Sequence, residues 1–425
     1  MSVSLRCVEG SVVTVEVKVD ISGSMLNAEE AILSAFNEAS CLVTGEALKR
    51  FDTDGSPITL GGIKWTSKDQ EPKIYQTPYG EVEVARHVYQ TSKGGQIFCP
   101  LDRDARIVVT STPRFAKMVS NKFGNGASTW AKKDLAENHG RSVARSYLQN
   151  LAEAVGSVAQ AKEETWRYET PKLDKPVKTV AIGVDGTCML LCEGSYREAM
   201  TGTISLYDSA GERQHTIYLG ATPEYGKASF YERMDQEIAH IKRLYPRATY
   251  VGIADGAHTN WDYLEGHTTT QILDFYHAAE YLTDVALAAC PRSKGDRAQW
   301  LEDSCHDLKH KHGAAARLLK EMESLRAQQL PKLVKEKLDS AITYFRNHKH
   351  QMHYARYRAN SMPIGSGVTE AACKTLVKQR LCSSGMKWKE RGASIVLSLR
   401  ALVLTSERWG QFWDKINQYG FQMAA

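Results

Sequence analysis

The sequence predicts an α/β fold, α+β overall, organised around one mixed sheet. Apolar strands and helical segments alternate between residues 178 and 277, which is the pattern of a sheet with crossover helices. A charged, helical stretch follows at 278–357, and hairpin-like strands and short helices come before the alternation. These three observations predict a sheet-based core, an all-α insertion and a β-hairpin-rich and helical amino-terminal region.

The amino-terminal region divides near residue 111. Apolar residues at 26–51 recur at near-helical spacing and predict a long helix. Strand-like segments separated by glycine turns follow, the last at 106–109, so 1–111 is predicted to be a helix plus a β-rich domain. Residues 112–164 predict three short helices. These suit a helix-turn-helix that binds DNA, and a packed helical linker is the alternative.

The order of elements in the core is informative. A Pro- and Lys-rich linker at 165–177 precedes three strands, a helix, a strand, a short helix and a strand. This is the order of an RNase H-like core, in which the first and fourth strands lie side by side. We therefore assign the catalytic core to 178–277 and 358–405, the all-α insertion to 278–357, and a carboxy-terminal tail to 406–425.

Three acidic residues stand at positions suited to a metal site. Asp185 and Asp255 each end an apolar run and precede a glycine, and Glu370 follows a Gly-Ser-Gly turn that opens a helix. Either Asp-Gly alone would be an ordinary turn. Together, the three carboxylates can hold two hard cations about 3.5–4 Å apart, which stabilises the attacking and leaving oxygens of phosphoryl transfer. The pattern favours a catalytic metal site.

Asp274 and His277 form a further candidate pair. They are three residues apart where a strand enters a helix, so their side chains share one side. We expect them to anchor the insertion on the core; phosphate binding or protonation of a leaving group by His277 is the alternative.

Basic residues concentrate late in the chain, between Arg346 and Arg391, which favours a polyanionic partner over a merely solvated face. Lys374 and Lys378 are one helical turn apart after Glu370, and Trp388 is a candidate for stacking on an unpaired base, with burial in the core as its alternative. The predicted DNA contacts are Arg141, Arg145, Lys374, Lys378, Arg380, Lys387 and Trp388.

Composition excludes several other classes. The nine cysteines form no Cys-x-x-Cys pair, so a zinc ribbon is not expected. No apolar stretch approaches the roughly 20 residues of a membrane span, and the amino terminus lacks the layout of a signal peptide. We expect a cytoplasmic, nucleoid-associated protein.

One local motif competes with this interpretation. The stretch from Asp20 to Ser24 matches the Asp-x-Ser-x-Ser metal-adhesion motif of von Willebrand factor A domains. That fold needs more strand-helix units than follow here, so a helix start capped by Ser22 or Ser24 is favoured.

The chain resembles an insertion-sequence transposase of the ISKra type, in the DDE superfamily. The resemblance is carried by the segments around Asp185, Asp255 and Glu370, and by 272–279, where Asp274 and His277 match a Cys/Asp-x-x-His motif of the related Mutator and hAT transposases. Those relatives carry a helical insertion at the same point. The resemblance implies an RNase H-like fold, two Mg²⁺ or Mn²⁺ ions, and terminal inverted repeats as the substrate.

The resulting hypothesis is metal-dependent DNA cleavage at the element ends, followed by strand transfer of the insertion element into target DNA. Asp185, Asp255 and Glu370 are its catalytic and metal-binding residues. Two ends of double-stranded DNA must be joined, so a homodimer or larger homo-oligomer is expected. The alternatives are a stand-alone RNase H-like nuclease or resolvase, and a former transposase retained as a non-catalytic DNA-binding protein.

Overall fold

A computed structural model describes residues 2–163 and 165–421 and has a mixed α/β fold. The predicted end of the helical region at residue 164 and the last four residues of the predicted tail lie outside the described residues. The chain divides into two compact units: unit 1 comprises 1–169, 394–403 and 407–425, and unit 2 comprises 170–393 and 404–406. No helix among the described residues has the length and apolar character needed to cross a membrane.

Unit 1 combines two small antiparallel sheets with a helical group. The hairpin of the first two strands forms one sheet, and the next three strands form the other. Its elements up to the linker are β1 (Ser2–Glu9), β2 (Val12–Lys18), α1 (Met25–Lys49), β3 (Ile58–Leu60), β4 (Ile63–Gln76), β5 (Glu81–Thr91), α2 (Pro100–Asp104), α3 (Pro113–Asn125), α4 (Ser128–His139) and α5 (Arg145–Lys162).

The start of α1 confirms the capped-helix interpretation. Ser24 is the N-cap, and its hydroxyl accepts a hydrogen bond from the Asn27 amide at 3.2 Å. Asp20 accepts from the Ser22 amide, which closes a local turn before the helix. The segment therefore serves as a helix start.

The strand predicted at 106–109 is wrong. Val108 makes only an isolated bridge to Ser111, because Arg106 and Val109 both have positive φ and turn the chain between α2 and α3. The three helices predicted after residue 112 are confirmed as α3, α4 and α5.

The end of the chain contributes to unit 1 as well. Residues 394–403 belong to α15 (Glu390–Leu404) and, although predicted to be core, pack into unit 1 through Ile395 and Leu399. The predicted tail contains α16 (Arg408–Tyr419), which forms because Phe412 and Ile416 share one helical face that is buried in the same cluster.

Unit 2 contains a five-stranded mixed sheet with helices between its later strands. The elements are β6 (Thr179–Leu190), β7 (Tyr196–Tyr207), β8 (Arg213–Ala221), α6 (Ala228–Leu244), β9 (Thr249–Ala254), α7 (His258–Glu265) and β10 (Thr270–Leu273). The strand order is β10-β9-β6-β7-β8; β7 pairs antiparallel with both β6 and β8, whereas β9 pairs parallel to β6 and β10 pairs parallel to β9. The first and fourth strands of this sheet in sequence, β6 and β9, are therefore adjacent, as the element order predicts.

The helical insertion is also present, and it begins three residues earlier than predicted. Asp274 ends the strand and caps the next helix, so Phe275 is helical rather than part of β10. The helices are α8 (Phe275–Ala289), α9 (Lys294–His310), α10 (Ala314–Leu325), α11 (Lys332–His348) and α12 (Tyr354–Ala359). The chain then returns to the sheet through α13 (Gly367–Ala372), a π-helical turn (Cys373–Lys378) and α14 (Gln379–Leu381).

Candidate metal centre

One pocket in unit 2 is lined by all three predicted acidic residues. It is a cavity of about 150 Å³ bordered by Asp185, Asp255 and Glu370, with His277 and Ser366 beside them. Strands β6 and β9 run parallel and are paired up to Gly183 and Ile253, so the residues that follow lie side by side. Asp185 lies within β6, which continues to Leu190, and Asp255 directly follows β9. The register aligns residues 183 and 253, and each aspartate lies two residues further along the chain. The sheet thus places two carboxylates side by side.

Asp185 is held from two sides. Its Oδ1 accepts from the Gly186 amide at 2.7 Å, and its Oδ2 accepts from the Cys373 thiol at 3.3 Å. Burial raises the pKa of Asp185; these two bonds oppose the rise, and the Asp255 and Glu198 carboxylates add to it. A carboxylate that is desolvated beside other carboxylates is stabilised by a bound cation.

Asp255 is tied to the helical insertion. Its backbone oxygen accepts from the Tyr344 hydroxyl at 2.7 Å, and its Oδ1 accepts from the Ala257 amide at 3.2 Å. Gly256 has φ 116°, and a Cβ there would press on the Tyr344 and His348 rings, so a glycine is required at this turn. The insertion therefore fixes the loop that carries the second aspartate.

Glu370 reaches the pocket because its helix lies directly on the sheet. Gly183 has no side chain, and a Cβ at that position would collide with Thr369 Oγ1. Thr369 is also bonded to Thr203 on β7, with the two hydroxyl oxygens 2.8 Å apart. Glu370 Oε1 lies within hydrogen-bond distance of the Ser366 hydroxyl oxygen, whose single proton it shares with Asp274 Oδ2, and the side chain stays about half exposed toward the pocket.

Asp274 anchors the loop that precedes Glu370. It is fully buried, accepts from the His277 amide at 2.7 Å, and its Oδ2 accepts from the Ser366 amide and from the Ser366 hydroxyl at 2.8 Å. Since Asp274 ends β10 and Ser366 lies just before α13, the carboxylate joins the sheet edge, α8 and the Glu370 helix. This geometry supports the anchoring interpretation.

His277 lies between Asp274 and Glu370. Its Nδ1 is 3.3 Å from Asp274 Oδ1 and 3.8 Å from Glu370 Oε1, close enough for ion pairing but not aligned for a conventional hydrogen bond. The Asp274 carboxylate raises the pKa of His277 to about 9 against the effect of burial. Burial raises the pKa of Asp274, but bonds from His277 and Ser366 outweigh it and lower that pKa to about 2. The pair is ionised at neutral pH.

Two groupings of side chains could hold a cation in this region. Ligand atoms of Asp274, His277 and Glu370 lie within 4.8 Å of one another. Asp274 already accepts three hydrogen bonds, and a cation there would compete with the proton on His277, whose pKa is raised to about 9. Among the described residues, Asp255 Oδ2 and Glu370 Oε2 accept no hydrogen bond. Asp185, Asp255 and Glu370 line the pocket with carboxylate oxygens, the ligand type that hard divalent cations prefer.

The predicted DNA contacts after Glu370 separate into two groups. Lys374, Lys378 and Lys387 are exposed. Arg380 is buried, and its guanidinium lies 5.1 Å from the centre of the Trp388 ring, whose Nε1 donates to the Leu381 oxygen at 3.0 Å. The prediction is thus corrected for Arg380, which is buried, whereas Trp388 is half-buried and stays a predicted DNA contact.

Arg141 and Arg145, the two predicted DNA contacts in the amino-terminal region, also differ in exposure. Arg145 is exposed at the start of α5. Arg141 is buried; it donates to the Thr77 oxygen at 3.0 Å and to Gln76 Oε1 at 2.7 Å, and its guanidinium lies 5.3 Å from the centre of the Phe115 ring. Arg141 is therefore corrected from a DNA contact to a packing residue of unit 1.

Three residues that organise the pocket were not predicted from the sequence: Ser366, Thr369 and Cys373. All three lie within about one helical turn of Glu370, at positions i−4, i−1 and i+3. Their closeness to the glutamate along a predicted helix is the feature of the sequence that could have identified them. The π-helical turn that holds Cys373 has no such signal in the sequence.

No model of a known protein family matches the chain, and no curated protein sequence matches it. Function must therefore be inferred from the chemistry of the pocket.

Proposed function

We propose that the chain is a DDE transposase of the ISKra type with an RNase H-like core. It would cleave DNA at the terminal inverted repeats of its element and transfer the strands into target DNA, in a metal-dependent reaction. The observation that carries the proposal is one pocket lined by Asp185, Asp255 and Glu370, which come from the interior of β6, the end of β9 and helix α13.

Asp185, Asp255 and Glu370 would hold two Mg²⁺ or Mn²⁺ ions. Two observations support this fit: three carboxylates surround one cavity, and the pKa of Asp185 is raised. A bound cation would stabilise the ionised form of such a carboxylate. When bound, such ions supply Lewis-acid activation of water or of a DNA 3′-hydroxyl, and they neutralise charge at the phosphate. No covalent protein–DNA intermediate is required.

Other side chains around the pocket orient and hold charge. Asp274 fixes Ser366 and thereby the start of the helix that carries Glu370. His277 holds a proton at neutral pH within 3.8 Å of Glu370, so it can face a phosphate or a leaving group. Exposed Lys374 and Lys378 follow on the same helical segment and are suited to contact backbone phosphates.

The proposed partners are double-stranded DNA, as terminal repeats and as target, and a second copy of the chain. Joining two element ends in one reaction requires two active sites to be held together. Exposed Arg145 on α5 and Lys387 are further candidates for backbone contacts.

The test is an assay with Mg²⁺ and duplex DNA that carries the repeats flanking the coding sequence. Joined products are expected from the wild type, and Asp185→Asn, Asp255→Asn and Glu370→Gln should each abolish them, while Glu302→Gln, an exposed carboxylate on α9, should not. Cleavage without joining would favour a nuclease or resolvase, and binding without cleavage a DNA-binding protein. A chain that neither binds nor cuts this DNA would refute the proposal.

Metal binding has a separate measurement. Mn²⁺ should raise the thermal unfolding midpoint of the wild type, because a ligand that binds only the folded state stabilises it. The increase should disappear in Asp255→Asn. An equal increase in both proteins would mean that the ions bind elsewhere.

A further inference from the structure

A second cavity in unit 2 lies at the outer edge of the five-stranded sheet. Its volume is about 330 Å³, and it is bordered by the start of β10, the turn Lys349–Gln351 after α11, and α12. β10 is an outermost strand, and the Tyr357 hydroxyl on α12 donates to the Gln271 oxygen at 3.3 Å, which fixes the helix against the strand. Among the described residues, this cavity and the metal pocket share no lining residue.

The charge of this cavity favours an anion. Arg356 lines it and is exposed, and within the described part of the chain its guanidinium contacts no carboxylate. His350 and His353 add two imidazole rings to the lining, and no aspartate or glutamate is among the described residues that line it. A guanidinium presents its N–H donors in a planar fork that matches the oxygens of a phosphate. The cavity is therefore suited to hold an oxyanion.

Buried polar groups supply further hydrogen-bonding capacity. Gln351 lines the cavity and is only 3% exposed, and its Oε1 lies 3.1 Å from His348 Nδ1. Its Nε2 donates to none of the described residues, and neither does the hydroxyl of Thr270, which also lines the cavity. Because Gln351 is enclosed on its other sides, its amide N–H groups are available to a ligand in the cavity.

The size and the walls of the cavity fit more than a phosphate ion. A volume above 300 Å³ is in the range that holds small organic ligands. Tyr357, which is buried, and Met362 form an apolar wall. The exposed His353 ring meets Tyr357 edge to face, with ring centres 6.2 Å apart, so it can stack on a flat ligand. The Asn360 amide on the rim adds an acceptor oxygen.

We infer that this cavity binds a nucleotide, with its phosphate on Arg356 and its base against His353 and Tyr357. A nucleotide combines the three features that the lining residues recognise: an anion for the guanidinium, a flat ring for the aromatic wall, and donors and acceptors for the amides. The same chemistry recognises a free nucleotide and an unpaired nucleotide within a strand. The inference does not depend on the proposed function.

The first experiment is isothermal titration calorimetry of the full chain with deoxyadenosine monophosphate, in buffer with a chelator so that no metal is bound. Arg356→Gln should raise the dissociation constant at least about tenfold, the loss expected when a charge-assisted phosphate contact is removed. Lys349→Gln is the matched control, because it removes the same charge from the adjacent turn and Lys349 does not line the cavity. An equal loss in both variants would mean diffuse attraction and would overturn the inference.

The second experiment separates the phosphate from the base. His353→Ala should weaken binding of deoxyadenosine monophosphate at least about fivefold and leave binding of inorganic phosphate unchanged, since only a base stacks. Arg356→Gln should weaken both, and deoxyadenosine without phosphate should bind at least about tenfold more weakly than the monophosphate. If inorganic phosphate binds as tightly as the nucleotide, and His353→Ala changes neither, the cavity is an oxyanion site only and the inference is wrong. Unchanged circular dichroism would show that the variants fold.

A short single strand of deoxyadenosine nucleotides identifies the source of the nucleotide. A strand that displaces the monophosphate and binds more tightly, with a loss in Arg356→Gln, indicates a nucleotide within a strand; a strand that does not displace it indicates a free nucleotide. Absence of binding by either ligand, with the monophosphate at millimolar concentration, would overturn the inference. Nucleotide binding without Mg²⁺-dependent DNA cleavage would refute the proposed function alone, and strand transfer by a chain that binds no nucleotide here would refute only this inference.

Discussion

Asp274→Asn is the substitution that most directly tests how the pocket is organised. Asp274 is fully buried and joins the end of β10 to Ser366, just before the helix that carries Glu370. Asparagine has the same shape and keeps one acceptor oxygen, but it removes the charge that the Ser366 and His277 donors face. We expect the 364–372 segment to open more often, with the sheet itself unchanged.

The magnitude follows from the pKa of Asp274. Folding lowers it from the ordinary 3.8 to about 2, and each pH unit corresponds to about 1.4 kcal/mol, so the ionised form is stabilised by about 2–3 kcal/mol. The raised pKa of His277 reflects the same ion pair and is not added. Local opening should therefore become about sixtyfold more frequent in Asp274→Asn at pH 7.

The assay is amide hydrogen exchange followed by mass spectrometry on the 364–372 peptide, in metal-free buffer. Because the carboxyl pKa is lower in the folded protein, its stabilisation is complete above pH 3.8 and is lost as the pH falls through about 2. The ratio of exchange rates between variant and wild type should thus shrink from about sixtyfold at pH 7 to about tenfold by pH 3.

Two results would refute this reasoning. Wild-type exchange rates in Asp274→Asn would mean that the bonds to Ser366 do not hold the segment. A ratio that stays constant from pH 7 to pH 3 would mean that the loss does not come from the charge. Asp262→Asn, an exposed aspartate on α7, is the control and should leave exchange in this peptide unchanged.

Two further substitutions have defined outcomes. Gly183→Ala should lower the free energy of unfolding by about 1–3 kcal/mol, because the new Cβ would collide with Thr369 Oγ1. Gly367→Ala is the control: no atom lies near its new Cβ, so the free energy of unfolding should stay the same or rise slightly. Urea unfolding of both variants measures the difference. Arg141→Ala should cost about 2–3 kcal/mol and lower the thermal midpoint, since it breaks buried bonds to a charged group. Arg145→Ala should leave that midpoint unchanged and weaken duplex binding with a smaller salt dependence, and the reverse pattern would contradict the burial argument.

The order of elements could be predicted from the sequence because hydrophobic periodicity is a local signal. The five core strands and the helical insertion follow from it, and the neighbouring positions of β6 and β9 follow from the RNase H-like order of the elements. The strand predicted at 106–109 fails because positive φ at Arg106 and Val109 is set by packing that no local pattern encodes. Residues 394–403 were assigned to the catalytic core but form part of a helix that packs in unit 1, because an apolar pattern does not say which core it enters.

The candidate site shows the same division between local and non-local information. Strand ends that bear aspartate indicate which acids can meet, and all three line one pocket. Charge alone does not distinguish an arginine that contacts solvent from one that is buried, so Arg141 and Arg380 were assigned to DNA although both are packing residues. The bond from the Cys373 thiol to Asp185 depends on a π-helical turn that only the fold reveals.

The bond between Asp274 and Ser366 explains how a long helical insertion can interrupt the site without disturbing it. The two residues are 92 positions apart, and the Phe275 amide also donates to the Ile364 oxygen at 2.9 Å, so both ends of the insertion are pinned side by side. Closing a loop grows only slowly more costly with its length, so helices between the pinned ends can change while Glu370 keeps its place. The Tyr344 bond to the Asp255 backbone makes α11 part of the site, and Tyr354 and Tyr357 of α12 donate to the Leu273 and Gln271 oxygens on β10. Tolerance to change in the insertion should therefore be lowest at these three tyrosines.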